Sequence, residues 1–199
     1  MALQLKVTSL ILGVFCKGRS HMCFSFMPSN SNIVNGRESF RPYPEKTFLI
    51  DRGLCAYYVI LLLRQDEFAW LQIIIKAHFG SDSLKSDVTY RSTSHEALAI
   101  SYHEDFGGLL LELTTNSLAV ILEIDSCSFI PEPPWVIFPE LEPIELEMNK
   151  QGSMEYWWEH IWLPFWSSLA VSEKYQYLHD NNASAEWVEC LAGQANRID

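Results

Sequence analysis

A chain of 199 residues with 48% hydrophobic and 13% aromatic content has ample apolar surface for a core, which excludes intrinsic disorder. Its net charge of −11 and the lack of a basic stripe with interleaved aromatics argue against direct nucleic-acid binding, because an acidic surface repels phosphates. The cysteines Cys16, Cys23, Cys55, Cys127 and Cys190 are odd in number, scattered and without a C-x-x-C pair. They read as reduced residues of a cytoplasmic protein and not as a disulfide framework.

Residues 1–27 hold the predicted first strand, in which Leu3, Leu5 and Val7 alternate with Gln4, Lys6 and Thr8. The competing reading is a short signal segment, Lys6 followed by the apolar stretch Val7 to Cys16. Phe15 is too large for the small-residue cleavage site that such a segment needs. Residues 28–45, dense in Pro, Ser, Asn and Gly, read as a loop. The 27 residues before it are too few to fold alone, so the loop is taken as an excursion within a single domain, 1–199.

A β-rich region is predicted over residues 46–130. Leu54 to Leu63, between Arg52 and Arg64, is about half the length of a membrane-spanning helix and reads as a buried strand. In Ala69 to Phe79, the set Ala69, Leu71, Ile73, Ile75, Ala77 and Phe79 falls on one face at period two, which predicts a strand. Asp66 and Glu67 could instead open a helix, but the Ile73-Ile74-Ile75 run favours a sheet.

Gly80 to Asp87 is a turn-rich break, and Leu98, Ile100 and Tyr102 alternate on a further strand. Gly107-Gly108 marks a bend. Leu109 to Leu113 and Leu118 to Ile124 flank Thr114 to Ser117 as the two arms of a hairpin. Phe129 to Pro139 holds four of the nine prolines and reads as an extended crossing segment.

Residues 131–199 are predicted acidic, Trp-rich and helical. A helix starts at Gly152-Ser153 with Ser153 as its cap, and Trp158, Trp162 and Trp166 recur every four residues along one face. Pro164 divides or kinks it near Leu163. Ser172 caps a helix running through Leu178, and Ser184 caps another that Gly193 closes. The fold class that results is α+β: a mainly antiparallel sheet from the N-terminal two thirds, covered by a C-terminal helical layer.

No motif specifies a reaction. Neither G-x-x-x-x-G-K-[ST] nor G-x-G-x-x-G occurs, G-x-S-x-G is missing, and no cofactor or catalytic residue is assigned. His95-Glu96 and His103-Glu104-Asp105 form the most metal-like cluster. On a strand, however, residues eight apart lie about 26 Å from one another, so no metal site is assigned.

Charge is distributed unevenly. Residues 1–64 carry eight Lys+Arg against three Asp+Glu, net +5; residues 65–130 three against ten, net −7; residues 131–199 three against twelve, net −9. The last third also holds six of the seven tryptophans. Glu140, Glu142, Glu145, Glu147, Glu155 and Glu159 adjoin Trp157 and Trp158, and aromatic residues beside charged ones are the composition of a protein-recognition surface.

Adjacent helical residues are about 100° apart, so Trp157 and Trp158 point in different directions. Either one of them is exposed as an anchor or both bury against the core. The leading expectation is a non-enzymatic acidic module whose partner is a basic protein, most concretely an immunity-type inhibitor of a basic toxin or nuclease. The alternatives are a small hydrolase with a site assembled from His, Glu and Cys residues, and a structural subunit of a larger assembly.

Overall fold

The structure is a computed structural model that describes residues 40–147 and 151–195. The predicted first strand, and all but the end of the predicted loop, lie outside the described residues. The chain forms two compact units, one containing Lys46–Ser128 and the other containing Pro42–Glu45 and the chain from Phe129 onward. The fold is α+β, with an antiparallel sheet in the N-terminal part and helices in the C-terminal part.

The first unit runs β1 (Lys46–Phe48), a 3-10 turn (Ile50–Arg52), β2 (Tyr57–Leu63), α1 (Gln65–Phe79), β3 (Val88–Arg91), β4 (Ala97–Asp105), β5 (Gly108–Thr115) and α2 (Leu118–Ser126). Its strands pair antiparallel in the order β1-β2-β5-β4-β3. Leu111 pairs with Leu61 on one side and Tyr102 on the other, and Leu113 with Val59 and Ile100. This register gathers Val59, Leu61, Ile100, Leu111 and Leu113 on one buried face.

The helices α1 and α2 pack on that face. Phe68 of α1 meets Tyr102 edge-on at 5.0 Å, and Leu71, Ile75, Val120, Ile121 and Ile124 are all buried. Each such side chain contributes about 1.5–3 kcal/mol on leaving water. Ile60, Leu62, Leu110, Glu112 and Thr114, on the opposite face, are buried as well. Burial of both faces is why β2 reads as a continuous apolar run and not as an alternation. At Gly108 a Cβ would lie 2.7 Å from the Leu63 carbonyl oxygen, so only glycine lets β5 begin this close to β2.

Two strand expectations are corrected. Residues 69–79 belong to helix α1: Phe68, Leu71, Ile74 and Ile75 are buried, whereas Ala69, Ile73 and Ala77, assigned by alternation to the buried face, are exposed. The ends decide the conformation. Glu67 accepts the Arg64 N–H at 2.8 Å, Asp66 and Glu67 occupy the first turn and Lys76 and His78 the last. Gly80 closes the helix at φ 67° with its N–H donated to Lys76. Caps of this kind contribute about 1 kcal/mol each, more than the few tenths that each isoleucine costs in a helix.

Residues 118–124, expected as the second arm of a hairpin, form helix α2. The physical reason is that β5 is central, flanked by β2 and β4, and has no free edge for another strand. Thr115 Oγ1 donates to the Ala97 carbonyl at 2.8 Å and accepts the Ser117 N–H at 3.0 Å, which turns the chain off the sheet. Asp125 then ties α2 to β1 through Lys46 at 2.6 Å.

The second unit contains the short helix α3 (Pro134–Ile137), a 3-10 turn (Pro143–Glu147), α4 (Ser153–Trp157), a π-helical turn (Trp158–Trp162), α5 (Leu163–Ser168), α6 (Val171–Asp180) and α7 (Ala185–Ala195). The segment Phe129 to Pro139, expected to be extended, contains α3, one helical turn opened by Pro134, where the missing proline N–H has no helical partner to lose. Three caps also differ from expectation. Gly152, not Ser153, precedes α4, and Ala170, not Ser172, precedes α6, with its N–H donated to Glu173 at 2.7 Å. Helix α7 runs through Gly193 to Ala195. Ser184 does cap α7, accepting the Trp187 N–H at 3.3 Å.

Candidate functional site

The acidic surface of the second unit is built over a core of aromatic rings. On an ideal α-helix a four-residue repeat drifts about 40° per step, so Trp158, Trp162 and Trp166 could not share one face for long. The π-helical turn absorbs the drift. Leu163 donates its N–H to the Trp158 carbonyl, five residues back, and this wider turn keeps the pairs Trp157/Trp158, Ile161/Trp162 and Phe165/Trp166 all buried. Pro164 follows directly at the start of α5, where its lack of an N–H is accommodated.

Trp162 is stacked on Trp157 at 5.6 Å and on Trp166 at 5.3 Å, with Phe165 and Tyr177 at 5.9 and 5.7 Å. Phe138 packs edge-on against Trp157, and Tyr43 edge-on against Phe165. Among the described residues, the indole N–H groups of Trp157, Trp162 and Trp166 have no hydrogen-bond partner. Each costs about 1–3 kcal/mol. Burying a tryptophan removes 150–250 Å² from water, about 4–6 kcal/mol, so burial wins at every ring. Tyr177 differs, donating its hydroxyl to the Pro131 carbonyl at 2.7 Å, and burial pushes its pKa far up.

Neither Trp157 nor Trp158 faces solvent, being 0% and 3% exposed, so the exposed-anchor alternative gives way to the buried one. The carboxylates stand outside. Glu155 and Glu159 are exposed one turn apart on the opposite side of the same helical run. Glu140 and Glu142 are exposed between α3 and the 3-10 turn, and Glu145, also exposed, accepts the Glu142 N–H at 3.0 Å. Glu147 ends that turn. Leu146, at its base, is buried, and the turn packs against α7, with the Cys190 thiol donating to the Pro143 carbonyl at 3.5 Å.

Sequence reasoning missed four contributors. Ile144, between Glu142 and Glu145, is 66% exposed, the highest value for a large apolar side chain among the described residues of this unit. Glu186 and Glu189 add exposed carboxylates on α7. Their three-residue spacing beside the buried Trp187 was a visible amphipathic signal. Glu45 lies 3.8 Å from His160 Nδ1, and the hydrogen bond to His160 holds its carboxyl below the usual range.

Across the unit, Glu45, Glu132, Glu140, Glu142, Glu145, Glu155, Glu159, Glu173, Asp180, Glu186 and Glu189 are all exposed. Among the described residues of this unit Lys174 is the one lysine or arginine, and its ammonium lies over the Trp166 ring at 5.5 Å. The local potential is therefore strongly negative.

His95 sits in the β3–β4 turn at φ 65°, whereas His103 lies on β4 opposite Leu110, 3.8 Å from Asp105. Among the described residues no three His, Cys, Asp or Glu side chains group as metal ligands. Cys127 is half-buried, and desolvation pushes its thiol pKa up, away from the thiolate a nucleophile requires. No described helix is long and apolar enough to cross a membrane. The chain matches no protein-family model, no curated protein and no solved structure.

Proposed function

We propose that the protein is a non-enzymatic binding module whose second unit docks on a basic protein surface, in its most concrete form an immunity-type inhibitor of a cationic toxin or nuclease. The observation that carries the reading is the unbalanced charge of that unit: its exposed carboxylates face solvent while its one described lysine is held against Trp166. A negative field of this kind raises association rates with a cationic partner and competes for a site shaped to hold phosphate.

Glu142, Glu145, Glu155 and Glu159 are the carboxylates assigned to contact, with Glu140 and Glu147 flanking them. Trp157 and Trp158 act from below, fixing the helix that carries Glu155 and Glu159. Ile144 supplies apolar contact amid the charge. The test is association of the purified chain with the products of adjoining open reading frames, measured as a salt titration. The expected result is a complex whose association rate falls steeply with ionic strength and falls further in an E142Q/E145Q/E155Q/E159Q variant. Absence of charge-dependent association with any basic product tested would remove the reading.

A further inference from the structure

Asn182-Ala183-Ser184 is the one Asn-x-Ser/Thr sequence in the chain, and its middle residue is not proline. It forms the turn between α6 and α7. Asn182 follows α6 at φ 53°, a left-handed conformation that asparagine adopts more readily than most residues. Backbone bonds hold the turn, with the Asn182 N–H donated to the His179 carbonyl at 3.1 Å and the Ala183 N–H to the Leu178 carbonyl at 2.9 Å. The two adjacent asparagines are used differently. Asn181 is half-buried: its carboxamide donates to the Tyr177 carbonyl at 2.8 Å, and its backbone carbonyl accepts the Trp135 indole N–H at 3.1 Å. Asn182 is exposed, and among the described residues no group bonds its carboxamide. Ser184, two residues on, is exposed as well, its hydroxyl standing at the start of α7 and accepting the Trp187 N–H at 3.3 Å.

We propose that Asn182 is an N-glycosylation site whose co-substrate is a sugar activated as a diphosphate. A bond forms between Asn182 Nδ2 and the anomeric carbon of the sugar while the bond from that carbon to the diphosphate oxygen breaks. The diphosphate leaves with the electron pair, and one amide proton is lost to it. The fold tolerates the product: a sugar on Asn182 Nδ2 breaks no contact among the described residues, whereas on Asn181 it would compete with the bond to Tyr177. The sugar adds bulk at the α6–α7 turn without adding charge. Glu142, Glu145, Glu155 and Glu159 lie on other elements, so the site stands independently of the basic partner proposed above. Transfer requires that the chain reach the compartment that holds the donor. Lys6 and the apolar stretch Val7 to Cys16 have the composition of a segment that directs such entry, and Phe15 bears on where that segment is cut, not on entry itself. A sugar at Asn182 therefore displaces the cytoplasmic reading of the cysteines.

Translation of the full chain in the presence of endoplasmic-reticulum microsomes, followed by treatment with peptide N-glycosidase, tests it. The expected result is a protease-protected form of lower electrophoretic mobility that the glycosidase returns to the mobility of the unmodified chain, with peptide mass spectrometry locating the sugar on Asn182. Asn182→Gly keeps the left-handed turn and is expected to abolish the mobility shift completely while protection from protease persists. Ser184→Ala is expected to abolish the shift as well. Ser184→Thr, which keeps both the hydroxyl and the helix cap, is expected to retain it. A chain that stays accessible to protease and unmodified overturns the proposal. So does a protected chain that carries no sugar, or a shift that survives Asn182→Gly.

Discussion

Asp125→Ala is expected to be among the most destabilising single changes in the first unit, although Asp125 lies only one residue from the end of α2. The Lys46 side chain is 1% exposed, and its ammonium lies 2.6 Å from the Asp125 carboxylate. The Arg41 carbonyl accepts from it at 3.3 Å, and the Phe40 ring lies 5.5 Å away. Burial holds the Lys46 pKa below its ordinary value, and the contact with Asp125 opposes that shift. Removing the carboxylate strands a buried cation, at a cost of about 3–5 kcal/mol. The Arg41 N–H also loses its acceptor at 3.0 Å, but Arg41 is exposed and water replaces the bond, so this loss is minor. Lys46→Met keeps the apolar stem and leaves Asp125 bonded to Arg41, for about 1–2 kcal/mol, and the double variant resembles Lys46→Met because no charge is stranded.

The sign with pH follows from the depressed lysine. The unfolded chain holds the Lys46 proton up to 10.5 while the fold releases it earlier, so the Asp125→Ala deficit shrinks as pH rises toward 10.5. Hydrogen exchange of the β1 and β2 amides reads this unit directly, since six of the seven tryptophans lie in the other. An Asp125→Ala chain within about 1 kcal/mol of wild type would refute the reasoning, as would a double variant no more stable than Asp125→Ala.

Two further outcomes concern the aromatic core of the second unit. Trp162→Ala removes a ring that is 0% exposed and stacked on both sides, for about 3–5 kcal/mol, read as an earlier guanidinium midpoint by tryptophan fluorescence. Tyr177→Phe loses the hydrogen bond to Pro131 and about 0.5–1.5 kcal/mol at neutral pH. Above pH 10 the unfolded phenol ionises while the folded one keeps its proton. Wild-type stability therefore falls by up to about 1.4 kcal/mol per pH unit, and the two unfolding curves converge; parallel curves up to pH 11 would contradict the assignment.

The strand core of the first unit was legible because β2, β4 and β5 are dense in leucine and isoleucine and bounded by glycine or arginine. The two segments misread as strands show where local pattern stops. In residues 65–79 an alternation and a helical repeat coexist, since Leu71 and Ile75 satisfy both. The choice is made by Glu67 and Gly80 at the ends, residues outside the alternating set. In residues 118–124 nothing local separates strand from helix. The deciding fact is that both edges of β5 are already taken, which is a property of the whole sheet. Pairings such as Lys46 with Asp125 and Glu45 with His160 join residues 79 and 115 positions apart, and no spacing rule reaches that far.

The tryptophans and the carboxylates of the last third looked like one feature in sequence, and the structure separates them by role. The four-residue Trp repeat is a packing code: it needs a π-helical turn to keep its indoles inward, and once they are inward they cannot touch a partner. What remains outside is charge interspersed with exposed apolar side chains, Ile130, Val136, Ile144, Val171 and Tyr175 among them. The first unit also leaves large aliphatic side chains in water, Ile73 and Leu122 among them, but its helices carry their acids beside basic side chains: Asp66 and Glu67 share Arg64, and Asp125 meets Lys46. The two units therefore differ less in exposed apolar surface than in charge. Among the described residues the second has eleven exposed carboxylates and one lysine, and that imbalance sets the sign of its field.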